Sequence, residues 1–280
     1  MAAGRGSPRA GRAPTPNGFA PLKYQASGMG STSGSTVSYT VLNTLPAGDL
    51  EKLRALDSCT VSNAIEQLDV RLRNEGFASG ATKCQFPKMG SMVGYAATGR
   101  IRTSTPPMTH RCYYDRMDWW AYVAALPEPK VMVLQDVDPK PGVGAFIGEI
   151  HANIGLALKC VGCVTNGAVR DVPAVEAMGF QLFAGNLSVS HSYAHIIEFG
   201  EPVEIDGLKI SSGDLLHGDC HGLLTVPLSI ANQIPDEASK ILAEERELIQ
   251  YCRSHEFSLD GLAERIRTSS ANCDLPWRQK

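Results

Sequence analysis

Apolar side chains recur every three or four residues in several segments of the chain, which predicts amphipathic helices. The pattern begins near Leu42, and Asp49 is placed to cap the first helix. The predicted helices pass through Leu50, Leu53 and Leu56, then through Val61, Ile65 and Leu68, and then cover residues 115–126, 147–159, 172–178 and 236–254.

Short apolar runs between turn residues predict strands, and in the middle of the chain they alternate with the helices. This alternation predicts an α/β fold with parallel strand pairs. Later strands flank tight turns such as Asp206-Gly207, which indicates a hairpin and a short β layer beside the α/β layer. The predicted strands are 92–101, 130–136, 161–165, 180–184, 203–205, 208–210, 215–218 and 222–226.

The two ends of the chain lack this pattern. Residues 1–36 are rich in Gly, Ala, Ser and Pro, so they cannot bury enough apolar surface to offset their ordering entropy. We predict a disordered or targeting tail over residues 1–41, one domain over 42–255 and a C-terminal extension over 256–280. A mitochondrial transit peptide is the alternative for the tail, because it contains Arg and lacks acidic residues.

Charge and composition narrow the function classes. The chain has 280 residues and a net charge of −3, but residues 1–48 contain only basic charges, which leaves 22 basic and 29 acidic residues beyond them. The net negative charge of the residues beyond 48 argues against nucleic acid as a partner. No apolar run is long enough to predict a membrane span. Eight cysteines are too few for a disulfide scaffold, so we expect reduced thiols in the cytoplasm.

A glycine-rich stretch, Gly142-Val-Gly-Ala-Phe-Ile-Gly148, follows a predicted strand and precedes a helix. A dinucleotide fingerprint would occupy this position, but the last glycine comes one residue late and the next strand lacks the acid that binds a ribose. A turn that offers backbone N–H groups to a small anion is the more modest interpretation.

The cysteines and histidines give weaker signals. Cys160 and Cys163 form a CxxC motif at a helix end, where buried structural thiols are more common than a redox pair. A zinc site at these cysteines would need a second pair of ligands, for which His217 with Cys220 is only a loose candidate. Trp119 and Trp120 lie in the segment 102–129, where they either shape a pocket or pack on a helix, and packing is the favoured interpretation.

Arg170-Asp171 is the most informative pair. It follows the apolar strand 161–165, and ligands bind at the carboxyl ends of such strands. Arg presents a planar fork to a carboxylate, and Asp is a hard ligand for Mg²⁺ or Mn²⁺, so the pair suits a metal and a 2-oxo acid. The alternative is that both residues cap the next helix and that Glu149 favours its own helix N-terminus.

The motifs around this pair resemble a known family. Between Ser58 and Ile249 the sequence is similar, in order, to the class II 4-hydroxy-4-methyl-2-oxoglutarate (4-carboxy-4-hydroxy-2-oxoadipate) aldolases and their RraA-like relatives. The motifs that carry the resemblance are Gly148-Glu-Ile-His-Ala152, Gly162-Cys-Val-Thr-Asn-Gly-Ala-Val-Arg-Asp171, Phe183-Ala184, Gly213-Asp-Leu-Leu-His-Gly-Asp-Cys-His-Gly222 and Val226-Pro227.

This resemblance implies a single α/β/α domain like a swivelling phosphohistidine domain, assembled as a homo-oligomer, a trimer or hexamer. It implies that Asp171 coordinates a divalent metal, Mg²⁺ or Mn²⁺, and that Arg170 contacts the substrate. Backbone amides of the segment after the glycine-rich stretch would bind the substrate carboxylate, and an acid from a neighbouring subunit would support the metal. The residues implied are Gly148, Glu149, Ile150 and His151 for the substrate and Glu244, Glu245 or Glu247 for the supporting acid.

The expected function is therefore a metal-dependent carbon–carbon lyase that cleaves 4-hydroxy-2-oxo acids to pyruvate and decarboxylates oxaloacetate. The first acid of the family motif is usually Asp and is Glu149 here, a departure that bears on the exact substrate. Glu149, or a water that it holds, is the expected base for the aldol hydroxyl. The alternative is a non-catalytic RraA-like regulator that binds an RNA-degrading endonuclease. A methyltransferase label also exists for such sequences, but no methyl-donor pocket is evident.

Overall fold

The computed structural model describes residues 44–108 and 116–270, with side chains described as far as residue 268. The predicted tail over residues 1–41 and the predicted start near Leu42 lie outside these residues. In the part of the chain that is described, no helix is both long and apolar enough to cross a membrane.

Two helices open the described chain, α1 (Ala47–Arg54) and α2 (Ser58–Gln67). The prediction of Asp49 as the cap of α1 is wrong, because the helix begins after Pro46 and Asp49 instead pairs with Lys52 at 2.9 Å in the first turn. The cap of α2 is Asp57, which accepts the Thr60 N–H. The later helices are α3 (Met117–Ala125), α4 (Glu149–Ala157), α5 (Val172–Ala177), α6 (Ile234–Cys252) and α7 (Leu259–Ser270).

A nine-stranded mixed sheet, nearly closed on itself, forms the centre of the fold. Its middle strands run parallel, as the alternating pattern predicts, and its outer strands are antiparallel. The strands are β1 (Lys83–Cys84), β2 (Met92–Arg102), β3 (Lys130–Asp136), β4 (Ala145–Ile147), β5 (Cys160–Val169), β6 (Gln181–Leu187), β7 (His195–Phe199), β10 (Leu215–Asp219) and β11 (Gly222–Val226), while β8 (Val203–Ile205) and β9 (Leu208–Ile210) form a separate hairpin.

The expected separate β layer is only partly present. The hairpin of β8 and β9 is separate, but β10 and β11 continue the main sheet, because β10 pairs with the first half of β2. The second half of β2 pairs with β7 along the same edge. The long strand β2 therefore has hydrogen-bonding partners on both edges over most of its length.

The strand β5 is longer than predicted and changes partner along its course. It pairs with β3 as far as Thr165, and after an irregularity it pairs with β4 through Ala168 and Val169. The helix predicted over residues 147–159 accordingly begins later, at Glu149, because β4 occupies the residues before it. Since β4 and β5 are parallel neighbours, the residues that follow them leave the sheet side by side.

A buried hydrogen-bond network ties α2 to β10. The Nε2–H of His217 donates to the carbonyls of Leu53 and Leu56, so its Nδ1 accepts from the Ser58 hydroxyl at 3.1 Å. Burial lowers the pKa of His217, which keeps the ring neutral. Asp219 Oδ2 accepts the Ser58 N–H at 2.7 Å. The serine and histidine are therefore structural, and Asp219 holds the turn after β10 against the start of α2.

Candidate active site

The carboxyl ends of β4 and β5 bring the predicted site residues together. Gly148 follows β4 and Arg170 follows β5, and the Arg170 N–H donates to the Ile147 carbonyl at 2.9 Å. Helix α4 begins directly after Gly148 and α5 directly after Asp171. The site therefore lies where ligands bind in α/β sheets, beside the N–H groups that the first turn of a helix leaves without helical acceptors.

Asp171 adopts a left-handed backbone conformation, with φ 54° and ψ 33°. Asp tolerates this region better than most residues, and backbone outliers cluster at functional sites. Although Asp171 occupies the cap position of α5, its side chain makes no capping hydrogen bond there. Its Oδ2 instead accepts the Glu149 N–H at 3.1 Å, so the interpretation of Asp171 as a cap of its own helix is wrong.

The electrostatics keep the Asp171 carboxylate charged. Partial burial alone would raise its pKa, but the Glu149 N–H and the adjacent Arg170 outweigh burial, and the pKa lies below its usual range. Arg170 Nε lies 3.3 Å from Asp171 Oδ1, and both side chains are about one-third exposed. A carboxylate and a guanidinium thus lie side by side with access to solvent.

Gly148 is required by this packing. A Cβ at this position would lie 2.6 Å from Asp171 Oδ2 and 2.9 Å from Arg170 Cγ, closer than atoms in contact can approach. Only glycine lets the start of α4 approach both side chains. The glycine-rich stretch is therefore not a dinucleotide turn: its residues Ala145–Ile147 form β4, and its last glycine makes room for the site.

The side chains of the three residues after Gly148 differ in their exposure to solvent. Glu149 and Ile150 are exposed, whereas His151 is buried against the rings of Trp120 and Phe146. Burial, with a smaller contribution from His191, lowers the pKa of His151 to about 3, so its ring is neutral. The four residues from Gly148 to His151 share only their position at the start of α4. This position offers backbone amides to a ligand, which is the role that the family resemblance implies.

His191 belongs to this neighbourhood. Its Nδ1 lies 2.9 Å from the Ala145 carbonyl oxygen, and its ring contributes to lowering the pKa of Asp171, after the larger contributions of the Glu149 N–H and Arg170. Its backbone carbonyl packs against Gly144, where a Cβ would clash. This proximity depends on a long-range contact between β4 and the loop that follows β6, which the spacing of residues along the chain cannot show.

The three candidate supporting acids lie elsewhere in the chain. Glu244, Glu245 and Glu247 are exposed on α6, where they line a groove of about 920 Å³ between α2, α6 and α7. Asn63, Arg73, Tyr251 and Arg265 line the same groove, and the residues of the site around Asp171 do not. A role for these acids at Asp171 therefore requires a second copy of the chain.

Burial decides whether the cysteines are a redox pair or structural thiols, and whether the tryptophans shape a pocket or pack in the core. Burial raises the pKa of Cys160 to about 12 and holds the pKa of Cys163 well above its usual value, so both thiols are structural. Trp119 and Trp120 are buried and pack on α3, as the favoured interpretation predicts. The rest of the pocket proposed for the segment 102–129 includes residues 109–115, which lie outside the described residues.

The donor set at Asp171 suits a hard divalent ion. Asp171 offers one carboxylate, and among the described residues the three-residue cluster of metal-ligating side chains lies elsewhere, at residues 219–221. Mg²⁺ is usually held by one or two carboxylates, and water and substrate oxygens complete its shell. The residues present therefore fit Mg²⁺ or Mn²⁺ bound together with a chelating substrate.

Comparison with known proteins places the chain in a family. The sequence model of the RraA-like family, described as Aldolase/RraA, matches residues 58–225. The chain belongs to the RraA-like family. This confirms the resemblance found in the sequence, in a family that includes both aldolases and RraA regulators.

Individual RraA-like relatives are distant. A Halalkalibacterium halodurans protein named as a 4-hydroxy-4-methyl-2-oxoglutarate aldolase is 28% identical over 102 residues, which are 36% of this chain and 49% of that protein. The chain spans at most about half the length of the curated relatives it matches.

Two solved structures share the fold. An uncharacterized protein from Pseudomonas syringae pv. tomato is 22% identical with a TM-score of 0.62, covering 84% of this chain and 100% of that one. Streptomyces coelicolor RraAS2, described as an unusual member of the RNase ES inhibitor RraA protein family, is 21% identical with a TM-score of 0.56, covering 74% and 98%. These likenesses support a mixed α/β RraA-like fold and give no support to the expected phosphohistidine-domain comparison.

Proposed function

We propose that this chain is a divalent-metal-dependent carbon–carbon lyase that cleaves 4-hydroxy-2-oxo acids to pyruvate and also decarboxylates oxaloacetate. The observation that carries the proposal is the left-handed Asp171, whose carboxylate leaves its own helix to meet the N-terminus of α4 beside Arg170. This carboxylate makes no capping hydrogen bond to α5, and its side chain is about one-third exposed, so an ion can reach it from solvent.

The substrate carboxylate has two complementary partners in this arrangement. Beyond the Glu149 N–H, which Asp171 accepts, the first turn of α4 presents backbone N–H groups and the positive end of the helix dipole. Arg170 adds a planar, permanently charged guanidinium within reach of the same end. The two together favour a small dianionic 2-oxo acid over a neutral sugar or a nucleotide.

Asp171 would hold the metal ion, and when bound the ion would act as a Lewis acid toward the 2-oxo group. Arg170 would stabilise the negative charge left on the pyruvate fragment when the bond between C3 and C4 breaks. Retro-aldol cleavage and oxaloacetate decarboxylation develop the same charge, so one site serves both. Glu149, exposed at the mouth of the site, would accept the hydroxyl proton, directly or through a water.

Glu149→Gln should separate the two reactions. The change leaves the backbone N–H that binds Asp171 in place but removes the proton acceptor. We expect aldol cleavage to fall by roughly 10² or more, the range for loss of a general base. Decarboxylation should fall much less, because it removes no hydroxyl proton. Parallel kinetics on both substrates check this, with Glu176→Gln on α5 as the control, and equal losses would reassign Glu149 to binding or geometry.

Arg170→Lys should impair both substrate binding and turnover. Lysine keeps the charge but loses the planar two-point contact with a carboxylate. Since hydrogen bonds to charged groups contribute about 1.5–3 kcal/mol, we expect a loss of roughly 10-fold to 100-fold in kcat/KM. Steady-state kinetics measure it, and Arg54→Lys on α1, outside both the site and the groove beside α6, is the control. An Arg170→Ala variant with intact oxaloacetate decarboxylation would show that Arg170 only supports the helix start.

The supporting acid requires an assembly. Because Glu244, Glu245 and Glu247 lie on a different face from Asp171 within one chain, we propose a homotrimer or hexamer in which α6 of one copy reaches the site of the next. Light scattering should give the mass of three or six chains. A monomer with full activity would exclude these three glutamates from the site.

Pyruvate release from a panel of 4-hydroxy-2-oxo acids and oxaloacetate tests the proposed function. We expect turnover with Mg²⁺ or Mn²⁺ and its loss with chelator. Binding of an RNA-degrading endonuclease without turnover of any panel member, under either metal, would overturn the lyase and support the regulator.

A further inference from the structure

A second cluster of ligating side chains lies at the turn between β10 and β11. Asp219, Cys220 and His221 present a carboxylate oxygen, Sγ and a ring nitrogen that all lie within 4.8 Å of one another. His221 Nδ1 lies 3.5 Å from Cys220 Sγ and 3.1 Å from Asp219 Oδ1. Three different ligand types thus converge at one short turn.

These separations match the edges of a tetrahedral zinc site. With Zn–S near 2.3 Å and Zn–N and Zn–O near 2.0–2.1 Å, a tetrahedron places sulfur about 3.6 Å from nitrogen, and nitrogen about 3.3 Å from oxygen. Both observed distances agree with these edges within about 0.2 Å, the tolerance for a metal site. A carboxylate, an imidazole and a thiolate together favour a thiophilic divalent ion over Mg²⁺.

The turn is both anchored and accessible. The Asp219 side chain is 7% exposed, and its carboxylate accepts the N–H groups of Ser58 at 2.7 Å and His221 at 2.9 Å. Cys220 and His221 are exposed, so an ion can reach them from solvent. Asp219 is therefore fixed in place before any ion binds.

We propose that Asp219, Cys220 and His221 bind Zn²⁺ or a similar thiophilic ion, with water as the fourth ligand. This site is distinct from the one around Asp171. Gly218 pairs with Met92 at the start of β2, so the turn lies at the opposite end of the sheet from Gly148 and Arg170. A bound ion would brace the turn between β10 and β11, which Asp219 already joins to the start of α2.

The test is metal binding by the full chain, kept reduced and freed of metal beforehand. Titration with Zn²⁺ should give one tight site, and Co²⁺ should produce a thiolate-to-cobalt charge-transfer absorption band. Cys220→Ser and His221→Ala should each weaken Zn²⁺ binding at least about tenfold, the smallest effect expected for a ligand. The exposed Cys252 lies on α6 outside the cluster, so Cys252→Ser is the matched control and should bind normally.

Several results would overturn the proposal. These are the absence of a tight Zn²⁺ site in the wild-type chain, or binding unchanged in both Cys220→Ser and His221→Ala. Because both side chains are exposed, these variants should fold, which circular dichroism verifies; Asp219 is avoided because it also anchors α2. Asp171→Asn should retain the Zn²⁺ site, so failure of the lyase and failure of this proposal are distinguishable.

Discussion

Asp171→Asn should lower the rate of pyruvate release by more than about 10²-fold, since even partners of metal ligands cost 10-fold to 100-fold when removed. Asparagine keeps the left-handed conformation and can still accept the Glu149 N–H, so the fold and the start of α4 should survive. It loses the negative charge that attracts a divalent cation. Calorimetry should show weaker Mn²⁺ binding, and circular dichroism should show an unchanged fold.

The matched control for this variant is Asp69→Asn. Asp69 is also left-handed, with φ 49°, and is exposed after α2. It undergoes the same chemical change outside the site and should retain full activity. Normal Mn²⁺ affinity together with full turnover in Asp171→Asn would remove the aspartate from the metal site.

Gly148→Ala should be nearly as damaging, although it removes no functional group. The added Cβ would overlap Asp171 Oδ2 and the Arg170 side chain, so one or both must move. A displacement of about 1 Å in an active site can cost roughly 10²-fold in rate. We therefore expect activity to fall by that order while thermal unfolding remains cooperative, with a lower Tm because tight packing is disturbed.

Gly48→Ala is the control for this substitution. Gly48 lies within α1, and a Cβ there would meet no atom within 4 Å. Alanine should be neutral or slightly stabilising at this helical position, because it favours helix more than glycine does. A fully active Gly148→Ala enzyme would mean that the close approach of α4 to Asp171 has no part in catalysis.

Local signals in the sequence predicted local structure well. The apolar run that predicts a strand over residues 130–136 is β3 with the same bounds. The turn Asp206-Gly207 forms the expected hairpin, with both residues at positive φ. Such elements depend on neighbours in the chain, so periodicity and turn residues suffice to find them.

Long-range pairing was not visible in the sequence. The attachment of β10 to β2 and the change of partner along β5 depend on residues far apart in the chain. The sequence therefore predicted Arg170 after a strand, and the family resemblance implied Glu149 in the same site, but neither revealed that Asp171 would turn away from α5 to bond α4. The role of His191 was missed for the same reason.

Strand geometry explains why residue spacing predicted the wrong companion for Cys220. The sequence offered His217 as the companion of Cys220, but these residues lie on and after a strand, where successive side chains point to opposite faces. His217 points into the core toward Ser58 and Leu53. His221, beyond the turn, is the residue that meets Cys220.

Metal-dependent pyruvate release tests the central claim most directly. The full chain, treated with chelator and assayed on 4-hydroxy-4-methyl-2-oxoglutarate, should be inactive, and added Mn²⁺ should restore pyruvate formation in the wild type but not in Asp171→Asn. Pyruvate formation that is the same with and without Mn²⁺, or no formation from any 4-hydroxy-2-oxo acid under any divalent metal, would contradict the proposed lyase.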